Sequence, residues 1–154
     1  MPPDPEDIRN WLRLSPRITT SGRLEDKDLA RLAATGVRHV INLALANHPE
    51  ALDDEGGKLA AYGIRYTHIP VLHDAPREEH YRAFVAALKA DDEPLHVHCI
   101  MNFRVSAFFY RYHTQACDMA EPQARMLLER VWSPHAADHP TVKPWRDFVT
   151  KRES

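Results

Sequence analysis

Leu95-His96-Val97-His98-Cys99-Ile100-Met101-Asn102-Phe103-Arg104-Val105-Ser106 runs an apolar strand into a cysteine and then directly into a helix. A helix beginning near Phe103 sets Cys99 in the loop at its amino end, where unpaired backbone N–H groups and the helix dipole favour negative charge. Such a setting favours the thiolate over the thiol and makes the sulfur an attacking group. Arg104 adds a permanent cation whose planar fork can grip two oxygens of one anion. Asn102 stands third after the cysteine, where a tight anion-binding turn calls for a positive φ that Asn tolerates better than most residues. The stretch therefore predicts a thiolate cradle for an oxyanion, built where a strand meets a helix.

Outward from it, strand and helix patterns alternate, the signature of an α/β layer structure. Ile8, Trp11 and Leu12 predict a short amphipathic helix, and Arg17 to Thr20 a first strand. Leu29, Leu32 and Ala33 mark a helix that stops at Gly36, followed by a buried strand through Val37, Val40, Ile41 and Leu43. A helix from Pro49 to Ala61, weakened by Gly56-Gly57, leads to a strand from Ile64 to Val71. Tyr81, Phe84, Val85 and Leu88 recur at helical spacing between Pro76 and Ala90 and bury one face on the sheet. Right-handed crossover then carries Cys99 to the rim at the carboxyl ends of the strands, where open α/β sheets collect ligands. Beyond Arg104, Val105, Phe108, Phe109 and Tyr112 read as core. Met126, Leu127 and Val131 read the same way on a helix starting near Glu121-Pro122. Trp132 and Trp145 read as anchors for a last helix, Pro144 to Lys151.

His98-Cys99 followed by Arg104 at such a turn resembles the active loop of cysteine-dependent protein tyrosine and dual-specificity phosphatases. Ser21-Gly22-Arg23-Leu24, Asp28-Leu29 through Gly36-Val37-Arg38-His39-Val40-Ile41-Asn42-Leu43, and Tyr62-Gly63-Ile64-Arg65-Tyr66 through Ile69-Pro70-Val71 resemble segments that precede it in those enzymes. The likeness spans about residues 17 to 115, and the order of the segments is more diagnostic than any one motif. It implies a central, mostly parallel sheet flanked by helices, in a single domain over 1–154 with its core at about 17–132. It also implies hydrolysis of a phosphate monoester through a cysteinyl-phosphate intermediate. Cys99 would attack phosphorus, and Arg104 with the loop residues Ile100, Met101, Asn102 and Phe103 would hold the phosphoryl oxygens. His98 would brace the loop, Asp74 would protonate the leaving group, and Ser106 would supply the hydroxyl that assists the thiolate.

The loop departs from that pattern in length: four residues separate Cys99 from Arg104, where the phosphatases have five. Four is the spacing of rhodanese-type sulfurtransferases, so a Cys99 persulfide is the alternative chemistry. A non-catalytic, phosphate-binding pseudophosphatase is the third reading. The rhodanese segment with its buried acidic strand has no counterpart here, which keeps the phosphatase reading first. Ser106 falls two residues after Arg104 rather than one, and can equally be a helix-surface serine. Asp74-Ala75-Pro76 with Glu78 and Glu79 also reads as a helix start, with Asp74 as its cap. His73 is the neighbouring alternative acid. Ile100, Met101 and Phe103 bring no extra positive charge for inositol or lipid phosphates.

His96 and His98 share one face of a strand at a spacing that can hold zinc, but no third ligand stands at a suitable distance in the sequence. His135 and His139, bracketed by Pro134 and Pro140, read as loop. Cys117 reads as a free, partly buried structural cysteine. The expected scheme calls for no metal and no cofactor.

A chain of 154 residues can bury about two thirds of its unfolded surface around one core. Its net charge of −2, with both signs interspersed, offers no basic stripe for nucleic acid. No apolar run reaches membrane-spanning length, and the acidic, proline-rich start is unlike a secretory leader. The expectation is a cytoplasmic enzyme, in a compartment where a reactive thiol survives, acting on a phosphorylated protein or a small phosphate monoester.

Overall fold

The computed structural model describes residues 3–133 and 142–150. Five strands, β1 (Leu12–Arg13), β2 (Ile18–Ser21), β3 (His39–Asn42), β4 (Arg65–His68) and β5 (Leu95–His98), form one sheet in the order β1-β2-β5-β3-β4. Only the edge strand β1 runs antiparallel, while β2, β5, β3 and β4 are mutually parallel. The helices are α1 (Asp26–Ala34), α2 (Glu55–Ala60), α3 (Glu78–Lys89), α4 (Phe103–Gln115), α5 (Glu121–Glu129) and α6 (Lys143–Thr150). The α/β architecture with a mostly parallel sheet is therefore as the sequence implies.

Register decides where the site lies. Ser21 pairs with His98, His98 with Asn42, and Asn42 with His68, so all four parallel strands end at one level. The pleat then sorts the side chains of β5. Leu95 and Val97 enter a core with Ile41, Phe84 of α3, Phe108 of α4 and Phe148 of α6. On the opposite face Val40 packs with Leu29 and Leu32 of α1 and Leu59 of α2. His96 and His98 point to this second side, where His96 stacks on Trp11 at 5.1 Å. Phe84 meets Phe108 and Phe109 edge to face at 5.4 and 5.0 Å, which favours one fixed packing of α3 on α4. Arg111 of α4 is wholly buried, held bidentately by Glu78 at 2.7 and 2.8 Å with its guanidinium 4.1 Å over the Tyr81 ring.

Several local expectations are corrected. Ile8, Trp11 and Leu12 form no helix: the chain turns through residues 6–10, with Asn10 at φ 50°, and Leu12 opens β1. The first strand predicted at Arg17 to Thr20 is β2, one residue later. α2 is far shorter than Pro49 to Ala61, because Asp54 takes a left-handed conformation just before it and Gly56-Gly57 weaken its start. Met126 faces solvent at 68% exposure; Ala124 and Leu128 face the core instead. Cys117 is exposed rather than partly buried, and both it and Cys99 are free. The tail helix is α6, with Trp145 buried as anticipated. His135 and His139 lie outside the described residues.

Candidate active site

β5 delivers Cys99 to the level rim, and α4 starts four residues later with Asn102 as its left-handed cap residue at φ 66°, ψ 5°. Asn102 contributes more than backbone tolerance. Its amide nitrogen donates to the Asn10 carbonyl at 2.8 Å and to Thr20 Oγ1 at 3.1 Å, while its Oδ1 accepts from Ser106 Oγ at 3.1 Å.

Three successive loop carbonyls are drawn to groups outside the loop. His98 Nδ1 lies 3.2 Å from the Cys99 carbonyl. The Arg23 amide donates to the Ile100 carbonyl at 2.9 Å, joined by Arg9 at 3.4 Å. Asn10 Nδ2 donates to the Met101 carbonyl at 2.8 Å. In a planar trans peptide the N–H points opposite to its carbonyl, so capturing these oxygens turns the amides of Ile100, Met101 and Asn102 the other way. Among the described residues no backbone carbonyl accepts from the N–H groups of residues 100–104. The start of α4 adds its own unpaired amides to the same run. Gly22 permits this packing, since a Cβ there would stand 2.5 Å from the Ile100 carbonyl oxygen.

Cys99 and Arg104 line one cleft of about 480 Å³ with Ile100, Met101, Phe103, Leu45, His48 and His73. Its remaining wall is Trp132, Val142 and Trp145. Arg104 spends one arm on the Val71 carbonyl at 2.7 Å, and its other donors have no acceptor among the described residues. Trp132 stacks on Phe103 at 4.9 Å and donates to the Phe103 carbonyl, while Trp145 donates to the His73 carbonyl at 2.6 Å. No carboxylate lines the cleft among the described residues.

The other predicted residues divide. His98 is buried away from the cleft, its Nε2 2.6 Å from Glu55 Oε2, so it braces the loop from behind rather than meeting a ligand. Ser106 is turned toward Asn102 and lines a separate small crevice beside Leu12 and Phe109. Asp74 sits exposed in the turn bridged by Leu72 and Ala75, outside the cleft lining, while its neighbour His73 lies in it. Asp74 is not the cap of α3, which starts at Glu78 after Arg77.

His96 has both ring nitrogens occupied, by Thr19 Oγ1 and Ser21 Oγ at 2.8 Å each. Ser21 Oγ donates to the Gly22 carbonyl and so accepts from His96 Nε2, leaving Nδ1 to accept from Thr19. This is a neutral imidazole, in keeping with a pKa pushed well below the ordinary value by burial and by the nearby His98. Among the described residues no group of three or more His, Cys, Asp or Glu could hold a metal ion.

Glu55, His48 and the Trp132–Trp145 wall were not singled out as site residues from sequence. Glu55 sits 43 residues from the histidine it holds, a pairing with no local pattern. The two tryptophans were legible as anchors, and it is the return of the tail across the rim that makes them cleft walls.

The comparisons with known proteins bear on the family and the fold. A DUF442 candidate phosphatase of Shewanella putrefaciens CN-32 is similar over 94% of this chain and 91% of its own, at 29% identity and a TM-score of 0.79. TpbA of P. aeruginosa, solved in complex with pTyr, is similar over 97% of this chain and 87% of its own, at 20% identity and a TM-score of 0.70. The core catalytic domain of the PP-IP phosphatase SIW14 from S. cerevisiae, solved with citrate, covers 90% of this chain and 85% of its own at 14% identity and a TM-score of 0.70. No curated protein matches the chain. Among the described residues no helix is long and apolar enough to cross a membrane. The family described as "Beta-lactamase hydrolase-like protein, phosphatase-like domain" matches residues 10–116, which hold the sheet, the cysteine loop and α4. With most of its length so matched, the chain belongs to that phosphatase-like family, and its fold is that of the cysteine-dependent phosphatases.

Proposed function

We propose that this protein is a phosphate-monoester hydrolase that works through a cysteinyl-phosphate intermediate. The observation that carries the reading is the run of unpaired amides at residues 100–104, closed by Arg104 around Cys99 in a single cleft. Cys99 Sγ attacks phosphorus as the thiolate, the bond from phosphorus to the leaving oxygen breaks, and that oxygen takes a proton. Arg104 and the amides hold the three remaining oxygens as charge builds on them. The proton donor is assigned to the turn of residues 72–75, with Asp74 in that role and His73 as the neighbouring donor. Water, giving its proton to the same group, then releases phosphate and restores the thiolate. The whole chain acts as one phosphatase-like domain on a phosphorylated protein or a small phosphate monoester, in the reducing cytoplasm where its thiol persists.

A second reading is favoured by two specific observations: the four-residue loop and an apolar cleft without a described carboxylate. In it the Cys99 thiolate attacks the outer sulfur of thiosulfate, the S–S bond breaks with sulfite leaving, and the Cys99 persulfide passes that sulfur to an acceptor such as cyanide. No proton donor is required in this scheme.

Paired assays separate the readings: release of phosphate from an aryl phosphate, and formation of thiocyanate from thiosulfate and cyanide, each repeated with Cys99→Ser. Phosphate release that disappears in Cys99→Ser is the expected result. Thiocyanate formation without phosphate release replaces the first reading by the second. Silence in both, with measurable phosphate binding, leaves a phosphate-binding module without catalysis.

A further inference from the structure

The chain immediately before β1 lies against the back of the cysteine loop and makes four separate connections to it. The Arg9 carbonyl accepts from the Gly22 amide at 2.6 Å, which fixes this segment on the exit of β2. The Arg9 guanidinium reaches the Ile100 carbonyl at 3.4 Å and Met101 Sδ at 3.5 Å. Asn10 Nδ2 takes the Met101 carbonyl at 2.8 Å, and in return the Asn10 carbonyl accepts from Asn102 Nδ2 at 2.8 Å. Asn10 itself is at φ 50°, a left-handed turn that points both its carbonyl and its side chain at the loop.

Arg9 also forks onto Glu50 at 3.2 and 2.9 Å, and Glu50 is shared with Arg23 at 3.3 Å. Two residues before Glu50 stands His48, a cleft residue whose Nδ1 accepts from the Glu50 amide at 3.0 Å. One guanidinium therefore joins the back of the cysteine loop to the segment that carries His48. The loop's own short sequence cannot supply this restraint: Ile100 and Met101 have no side chain that could hold the peptide units, and neither is a glycine.

We propose that Arg9 and Asn10 are positioning residues for the oxyanion-binding loop: by capturing the Ile100 and Met101 carbonyls from outside, they keep the Met101 and Asn102 amides turned into the cleft. This rests on the reading of the loop as an oxyanion cradle and names part of what holds it ready before a ligand arrives. It applies equally to a phosphoryl group and to thiosulfate, because both present oxygens to the same amides.

The test uses Asn10→Gly, which keeps the left-handed turn and removes only the side-chain donor, and the double variant Arg9→Met/Asn10→Gly. Arg31→Ala is the control, since it loosens the ion pair to Asp7 on the same segment without touching the loop. NMR relaxation of the backbone amides of residues 99–104 reads the order of the loop directly in the ligand-free full chain, and orthovanadate titration reads oxyanion affinity. Losing one such hydrogen bond is expected to lower the order parameters of the loop amides and weaken vanadate about tenfold in Asn10→Gly, and further in the double variant. Arg31→Ala is expected to leave both readouts as in the parent, whatever it does to thermal stability. Loop order parameters that stay at the parent values in the double variant overturn the proposal, whatever happens to vanadate. A parent protein that ignores vanadate while the variants still loosen the loop counts against the oxyanion reading and keeps the positioning role. Should the double variant not fold, Asn10→Asp, which keeps size and turn preference but cannot donate, decides by the same relaxation measurement.

Discussion

Arg104 donates to the carbonyl of Val71 at 2.7 Å, so the cation beside Cys99 is tied to the chain leaving β4, on which His73 and Asp74 follow two and three residues later. One bond thus joins the proposed oxyanion clamp to the turn proposed to donate the proton. Arg104→Lys keeps the charge but offers no second planar donor, and is expected to lower kcat/KM for an aryl phosphate by roughly 100-fold or more. Arg104→Ala strands the Val71 oxygen as well, adding about 1–3 kcal/mol of lost stability in a urea melt. A lysine variant with unchanged kcat/KM would remove Arg104 from the site.

Gly22 and Ile100 supply a steric prediction. Because the new Cβ would meet a backbone oxygen at 2.5 Å, Gly22→Ala must push the cysteine loop or β2 aside. Overpacking of this kind is expected to cost about 1–3 kcal/mol and to weaken oxyanion binding in parallel. Isothermal titration with orthovanadate, set beside the urea midpoint, checks both effects in one preparation.

The donor turn is tested by dividing its two candidates. If Asp74 protonates the leaving oxygen, Asp74→Asn lowers kcat by roughly 10²–10⁴ for a poor leaving group and flattens the pH profile of kcat. His73→Gln is then mild. The reverse pattern transfers the role to His73, which is the residue of the pair that lines the cleft.

Acid should loosen this fold through a histidine far from the chemistry. Burial pushes the His113 pKa down from 6.5 to about 4, so the folded protein keeps it neutral over a range in which the unfolded chain is protonated. The contribution of His113 is complete above about pH 6.5, is lost as pH drops toward 4 and changes no further below that, with a span of order 3 kcal/mol. His96, buried and also lowered, adds to the loss with the same sign. Urea midpoints between pH 4 and 7.5 should slope less steeply in His113→Gln; parallel slopes would assign the acid sensitivity elsewhere.

The aromatic wall sets the expected taste of the cleft. Trp132 and Trp145 stand edge to face at 6.3 Å beside Phe103, and the matched family region stops at residue 116, before either of them. Trp132→Ala is expected to raise KM for an aryl phosphate about 5–30-fold, the equivalent of about 1–2 kcal/mol of lost contact, with little effect on a small alkyl phosphate. Equal effects on both substrates would mean that the wall serves the fold and not the ligand.

What could be read from sequence follows from the range of each interaction. Strand β5, the turn at Cys99 and the start of α4 are local events, and Asn102 and Arg104 advertise them by backbone preference and charge. The helical spacing of Phe84 with Leu88, and of Val105 with Phe108 and Phe109, likewise locates the core. Asn10 and Met101 lie 91 residues apart, and nothing in either local pattern marks the bond between them. The expected helix through Trp11 failed for the same reason: a short apolar trio was read by its spacing, while the docking of Trp11 on His96 decided the outcome. Ser106 and Asp74 were assigned by their order in a resembling family, and order along a chain does not say which way a side chain turns.

The two thiols differ as sharply as their surroundings allow, Cys99 sealed at 0% exposure and Cys117 open to solvent. Reagents and oxidants arriving from bulk water meet the second first, while the first lies at the floor of the cleft lined by Trp132 and Trp145. A brief maleimide pulse is expected to attach a reporter dye at Cys117 while Cys99 stays unmodified, giving a singly labelled protein without engineering a cysteine away.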